Sequence, residues 1–249
     1  MNDHIDDPAL TDDTLLGGRV RLTQARGGYR VAIDPVLLAA AVPAKAGQCI
    51  LDVGSGTGAA ALCLAARLPG LALTGLERDA AALALCRLNG AANGVTAEWI
   101  EGDVMTPPPA LLARQFDHVI SNPPYRSAGR GQSSPNADVA AAHAIDDDGF
   151  DAWLAFCAAR VRDKGTLSLV LPAGAVARAV AVIEPRLGGI SLLPLWPKAG
   201  VEAKRVILRA RRGGRAPSRL LAGLVLHRDD GGYTDAAEQV LRHGGALAG

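Results

Sequence analysis

Leu51-Asp52-Val53-Gly54-Ser55-Gly56-Thr57-Gly58 is the stretch on which the fold of this chain turns. Cys49 to Val53 is a short apolar run that reads as a buried strand, and Ala59 to Arg67 reads as a helix. Glycines between the two let the backbone turn sharply and approach a ligand closely. The helix N-terminus then offers free N–H groups to that ligand. Downstream the pattern repeats. Leu71 to Leu76 reads as a strand closed by Glu77, Asp79 caps a helix to about Asn89, and Ala97 to Glu101 is the third strand. Pro107-Pro108-Pro109 breaks the chain before a fourth strand, Phe116 to Ser121. Phe150 to Arg162 is a helix, Thr166 to Leu171 a fifth strand and Ala175 to Arg186 a further helix. Strands over Ile190 to Leu195, Val206 to Arg209 and Leu220 to His227 follow, then a short helix over Asp235 to Arg242. Alternating strands and helices with Val- and Leu-rich strands predict an α/β fold, a mostly parallel sheet covered by helices on both faces. The strand-rich tail predicts antiparallel edge strands.

Upstream, residues 1–14 carry Asp3, Asp6, Asp7, Asp12 and Asp13 and read as an acidic flexible tail. Val20 to Gln24 and Tyr29 to Ile33 alternate around Arg26-Gly27-Gly28 and predict a β-hairpin. Asp34-Pro35 opens a helix through about Ala41. No internal repeat or linker divides the remainder, so residues 15–249 read as one domain: hairpin and helix over 15–48, core over 49–249. The whole chain has 249 residues, 49% apolar and 20% charged, too apolar for general disorder. Its 26 Lys and Arg against 25 Asp and Glu give a net charge of +1, which excludes a uniformly basic nucleic-acid coat but not a local patch. Mean hydropathy is +0.16, yet no apolar run reaches the roughly 18 residues of a membrane span. The acidic N-terminus lacks the features of a signal peptide, so a cytoplasmic protein without membrane association is expected. Cys49, Cys63, Cys86 and Cys157 form no C-x-x-C pair, and no H-E-x-x-H is present, so no metal is expected.

The glycine loop calls for a nucleoside cofactor. Glu77, nineteen residues after Gly58, can hold both ribose hydroxyls. Gly54-x-Gly56-x-x-Ala59 also satisfies the dinucleotide fingerprint, which keeps a nicotinamide-dependent reductase as an alternative. Two residues favour S-adenosyl-L-methionine. Asp52 precedes the glycines and could meet an ammonium, and Asp103, in Glu101-Gly102-Asp103-Val104, could accept a bond from an adenine amino group. The plainer reading is turn glycines and helix-capping acids.

Asn122-Pro123-Pro124-Tyr125 follows the fourth strand. Two prolines fix the turn and remove backbone donors, so it presents acceptors: the Asn122 side-chain oxygen and the Pro123 carbonyl. Two convergent acceptors suit an amino group with two hydrogens. An exocyclic amine is a poor nucleophile because its lone pair is delocalised; accepting both N–H bonds favours a tetrahedral nitrogen and aims the lone pair at a methyl donor. Tyr125 can stack on the base, as in sites that take a base out of its stack. Catalysis is then positioning and electrostatics. The plainer reading is a rigid turn with an ordinary Asn cap.

The glycine loop together with Asn122-Pro123-Pro124-Tyr125 resembles the Rossmann-like class I S-adenosylmethionine-dependent amino-methyltransferases, and more narrowly the bacterial valine-tRNA (adenine-N6)-methyltransferase family. The narrower likeness is carried by Gly28-Tyr29-Arg30-Val31, Asp34, Leu37-Leu38, Lys204-Arg205-Val206-Ile207-Leu208, Leu224 to His227 and Tyr233 to Ala236. The resemblance implies a seven-stranded, mostly parallel sheet whose last strands are antiparallel. It implies that Asp52, Gly54, Gly56 and Glu77 bind the cofactor, that Asp103 and Val104 meet its adenine, and that Asn122, Pro123 and Tyr125 hold the target base. Asp34 either faces the cofactor's methionine end or caps its helix. The expected activity is methylation of adenine N6 in tRNA. Rivals are a glutamine amide of a release factor, a DNA adenine, an rRNA guanine, or RNA binding without catalysis. The release-factor family carries a helical domain before the glycine loop, whereas residues 1–48 read as tail, hairpin and helix. Eight basic residues between Lys198 and Arg219, against Glu202 alone, form either a phosphate-tracking patch or a solvated strand edge. The polar loop 126–135 reads as a lid or a plain connection; His143 is given no role.

Overall fold

The computed structural model describes residues 9–27, 30–124 and 146–247. An antiparallel hairpin of β1 (Leu10–Leu15) and β2 (Val20–Ala25) precedes α1 (Asp34–Ala41). Then come β3 (Cys49–Val53), α2 (Ala59–Arg67), β4 (Ala72–Glu77), α3 (Ala80–Ala92), β5 (Ala97–Glu101), α4 (Pro109–Leu112) and β6 (Phe116–Ser121). The second half holds α5 (Asp147–Arg160), β7 (Val161–Pro172), α6 (Val176–Ile183), β8 (Leu187–Trp196), β9 (Arg205–Arg212), the two-residue strands β10 (Arg219–Leu220) and β11 (Leu224–Val225), and α7 (Asp235–Leu241).

The main sheet runs β10-β8-β9-β7-β6-β3-β4-β5, with β11 also on β8. β3, β4, β5, β6 and β7 are parallel. Side chains alternate across it with the two-residue period of a strand. Ile50, Ile120, Val170 and Ile207 join the core that includes α1, α2 and α7, while Leu51, Val119, Leu169 and Leu208 join the one that includes α5 and α6. β3, β6, β7 and β9 are thus apolar on both faces, as a doubly covered sheet requires. α1 is buried from Pro35 to Ala41, and a helix apolar all round belongs inside a fold. Asp79 caps α3, its Oδ1 accepting from the Ala81 and Ala82 N–H groups.

Four expectations need correction. The hairpin is displaced toward the N-terminus: β2 pairs with β1, and residues 30–33 form no strand. The far edge of β2 is already satisfied by the side-chain amides of Asn89 on α3 and of Asn93 at its C-cap. Asn89 accepts from Thr23 N–H at 2.8 Å and donates to its carbonyl, and Asn93 does the same for Arg21. The acidic tail over 1–14 is likewise too long, because Leu10–Leu15 is β1, held by Thr23 Oγ1–Asp12 (2.8 Å) and Gln24 Nε2–Asp13 (2.9 Å); residues 1–8 lie outside the described residues. The antiparallel strands expected at the sheet edge reduce to β9, which lies inside the sheet between β7 and β8 and pairs antiparallel with both. Local alternation reports that a segment is a strand, but not which neighbours it takes. The strand expected over Leu220 to His227 survives only as β10 and β11.

Candidate active site

One cavity of about 450 Å³ opens over the carboxyl ends of β5, β4, β3 and β6. That is where open α/β sheets bind ligands, at the switch point where β3 has β4 on one side and β6 on the other. Asp52, Gly54, Gly56, Glu77, Asp103, Val104, Asn122 and Pro123 all line it, as do Asp34 and Arg205. Tyr125, the loop 126–135 and His143 lie outside the described residues.

The glycine loop is built for close approach. Gly54 and Gly56 have φ of +71° and +55°, the left-handed region that favours glycine. A Cβ on Gly54 would stand 2.7 Å from the Trp153 ring. Trp153 is thus a wall of the cavity, fixed by a chain in which its Nε1–H donates to Ser121 Oγ (3.0 Å) and Ser121 Oγ donates to the Val53 carbonyl (2.7 Å). Neither Trp153 nor Ser121 was foreseen from sequence; an indole on the inner face of the helix after the tetrad was the available signal. Gly54→Ala should combine a left-handed penalty of roughly 1–2 kcal/mol with crowding of roughly 1–3 kcal/mol. Denaturant unfolding should show a clearly lowered midpoint, and a midpoint equal to wild type would refute the close packing.

Glu77 organises the opposite wall. Its Oε2 accepts from the Gly56 N–H (2.8 Å), and Oε1 accepts from the Arg78 and Asp79 N–H groups at 2.8 and 2.9 Å. Asp103 accepts from the Met105 N–H at 2.9 Å and lies 3.7 Å from Arg78. Asp52 is only 2% exposed, and its Oδ2 has no hydrogen-bond partner; the Ser55 and Thr57 hydroxyls of the same loop are also buried without one. Burial pushes the Asp52 carboxyl up to about 7. The negative charge of Glu77 adds to that rise, and the Ala61 N–H works against it. Buried polar atoms are normally satisfied, so this loop has the character of a receptor for a polar ligand.

A family model described as methyltransferase small domain matches residues 30–149. A tRNA1(Val) (adenine(37)-N6)-methyltransferase of Aeromonas hydrophila is 32% identical over 216 residues, covering 84% of this chain and 87% of that protein. The chain belongs to this methyltransferase family. A predicted O-methyltransferase from Agrobacterium tumefaciens shares its structure with a TM-score of 0.70 at 28% identity, over 86% of this chain and 98% of that one. A T. thermophilus 16S rRNA N2 methyltransferase, solved with AdoMet and guanosine, shares the fold alone, at a TM-score of 0.60 and 23% identity over 82% of this chain and 50% of that one. The methyltransferase is a class I enzyme whose cofactor is S-adenosylmethionine, and the nicotinamide alternative is set aside. The orphaned Asp52 oxygen and the glycine cradle fit that cofactor.

The basic stretch divides. Arg205 and Lys204 lie at the cavity edge of β9 or next to it, but β9 then runs away from the site. Arg209 donates to the carbonyl of Ala41 (3.2 Å), Arg211 to that of Lys164 (3.2 Å) and Arg212 to that of Ala158 (2.8 Å). Two of those carbonyls belong to the last turns of α1 and α5, which carry partial negative charge. Charge reversal at Arg209, Arg211 and Arg212 should therefore lower the melting temperature and leave the salt slope of RNA binding unchanged; a flattened slope would restore them to a phosphate-binding role. No helix among the described residues is long and apolar enough to cross a membrane.

Proposed function

We propose that this enzyme transfers a methyl group from S-adenosylmethionine to N6 of an adenine in tRNA, at position 37 of a valine tRNA as the names of its relatives indicate. One observation carries the reading most directly: Asn122 and Pro123, just after β6, line the same cavity as Asp52, whose Oδ2 has no partner, and the glycine loop. A pair of acceptors thus stands beside a cofactor cradle.

The bound cofactor supplies an electrophilic methyl on a sulfonium. In this reading Asp52 would hold its ammonium, Glu77 its ribose hydroxyls and Asp103, with Val104, its adenine. The Asn122 Oδ1 and the Pro123 carbonyl accept the two N–H bonds of the target amine. That localises the nitrogen lone pair, which would form the new N–C bond to the methyl as its bond to sulfur breaks, leaving neutral S-adenosylhomocysteine, while the surplus proton passes to solvent. As positive charge develops on nitrogen, both acceptors bind it more strongly than in the ground state, which is what lowers a barrier. Tyr125 is assigned the base face. A tRNA substrate would place the enzyme in the cytoplasm.

The test is transfer of labelled methyl to tRNA, rRNA, DNA and protein fractions from a strain lacking this protein. Label in valine tRNA as N6-methyladenine is expected. Label in a release-factor glutamine, in DNA adenine or in rRNA guanine would replace the substrate, and transfer to no fraction would leave a binding module.

A further inference from the structure

Among the described residues the cavity is lined by two cationic side chains, Arg78 and Arg205. Arg78 follows Glu77 at the end of β4 and faces Asp103 at 3.7 Å, so it belongs to the end lined by acids suited to hydroxyls and an amine. Arg205 opens β9, two strands beyond β6 in the sheet order. Its Nε meets Asp34 Oδ2 at 3.3 Å at the start of α1, and both residues stand in the cavity wall. Asp34 is 16% exposed and Arg205 39%, so the pair is partly shielded, and both residues line the cavity.

S-adenosylmethionine carries a neutral nucleoside at one end and an amino acid at the other, with an ammonium and a carboxylate. A carboxylate set beside Glu77 and Asp103 would meet like charges. Asp52 answers the ammonium, and a cation on the cavity wall away from Glu77 and Asp103 suits the carboxylate. We propose that Arg205 receives the α-carboxylate of the cofactor, with Asp34 as the positioning residue that holds the guanidinium against the cavity wall. Without ligand the Asp34–Arg205 pair is neutral; with it, Arg205 bridges two carboxylates with a planar donor set that Lys lacks. This rests on the methyltransferase reading and extends it to the segment joining hairpin, α1 and β9.

Calorimetric binding of two nucleosides tests it. S-Adenosylhomocysteine has the amino-acid group; 5′-methylthioadenosine lacks it. Arg205→Gln should weaken S-adenosylhomocysteine by about ten- to a hundredfold, as for a lost hydrogen bond to a charged group, and leave 5′-methylthioadenosine within twofold. Arg205→Lys, which keeps the charge, should give a smaller loss for the same ligand only, and Asp34→Asn should also be selective for it. Equal loss of both nucleosides would make the pair merely structural. Unchanged affinity for both, with a raised KM for tRNA, would assign Arg205 to a substrate phosphate; either result overturns the proposal. Failure of both nucleosides to bind the unaltered protein would overturn the methyltransferase reading itself.

Discussion

Asn122→Ala is expected to lower the rate of methyl transfer by roughly a hundredfold or more while leaving cofactor affinity within twofold. The magnitude is that of removing one preorganised polar partner from a developing charge. Asn122 is half-buried just after β6, Pro123 behind it is buried, and Ser121 before it is held by its Oγ–H to the Val53 carbonyl. Truncation removes one acceptor for the target amine and leaves Asp52, Glu77 and the glycine loop intact. The Pro123 carbonyl alone cannot hold both N–H bonds, so the lone pair returns to the ring. Single-turnover transfer with labelled cofactor measures the step, and S-adenosylhomocysteine binding measures the cradle. Unchanged single-turnover rate would remove Asn122 from the chemistry, and a parallel loss of cofactor affinity would make it a binding residue. The same fall should appear at saturating tRNA, because an interaction that strengthens toward the transition state shows its gain in kcat.

How much of this was legible in the sequence differs with the range of the interaction. The bounds read for α2, β5 and β6 coincide with those observed, because apolar runs and their flanking Gly, Pro and Asp are local signals. The cavity residues at the ends of β3, β4, β5 and β6 were legible for the same reason: each follows its own strand, and a doubly wound sheet brings strand ends together. Partners across the chain were not. Nothing near Val20 announces that Asn89 on α3 and Asn93 at its C-cap occupy the far edge of β2 and leave β1 as its partner. Nothing near Arg205 announces β9's interior place or its contact with Asp34. The run between Lys198 and Arg219 is basic as counted, yet Arg209, Arg211 and Arg212 each donate to a backbone carbonyl of another element. Trp153 was invisible as a cavity wall because its role depends on Gly54 leaving room for the ring.

Asp52→Asn should move stability and cofactor affinity in opposite directions. Burial raises the Asp52 carboxyl to about 7 in the cofactor-free protein, well above its unfolded value near 3.9. A folded state that binds the proton more tightly loses stability as pH rises through the window between those two values. The penalty is absent below about pH 4 and complete above about pH 7, with an upper limit of roughly 4 kcal/mol. Asparagine carries no such penalty, so the cofactor-free variant should melt above wild type at pH 8 and match it near pH 4. Affinity runs the other way. Pairing with an ammonium needs the carboxylate, so wild-type affinity for S-adenosylhomocysteine should fall about tenfold per unit as pH drops below 7. The variant should bind at least a hundredfold more weakly at pH 8, the scale of truncating one partner of a buried charge pair, with a flat profile. Thermal melts and calorimetric titrations from pH 4 to 8 give both curves. A variant less stable than wild type at pH 8 would show that Asp52 supports the fold by contacts other than its charge. A wild-type affinity that is level between pH 5 and 8 would remove the carboxylate from cofactor recognition. The crossing of the two curves is the expected signature of a residue kept for its ligand: a buried anion that weakens the empty fold and is offset only when a cation arrives.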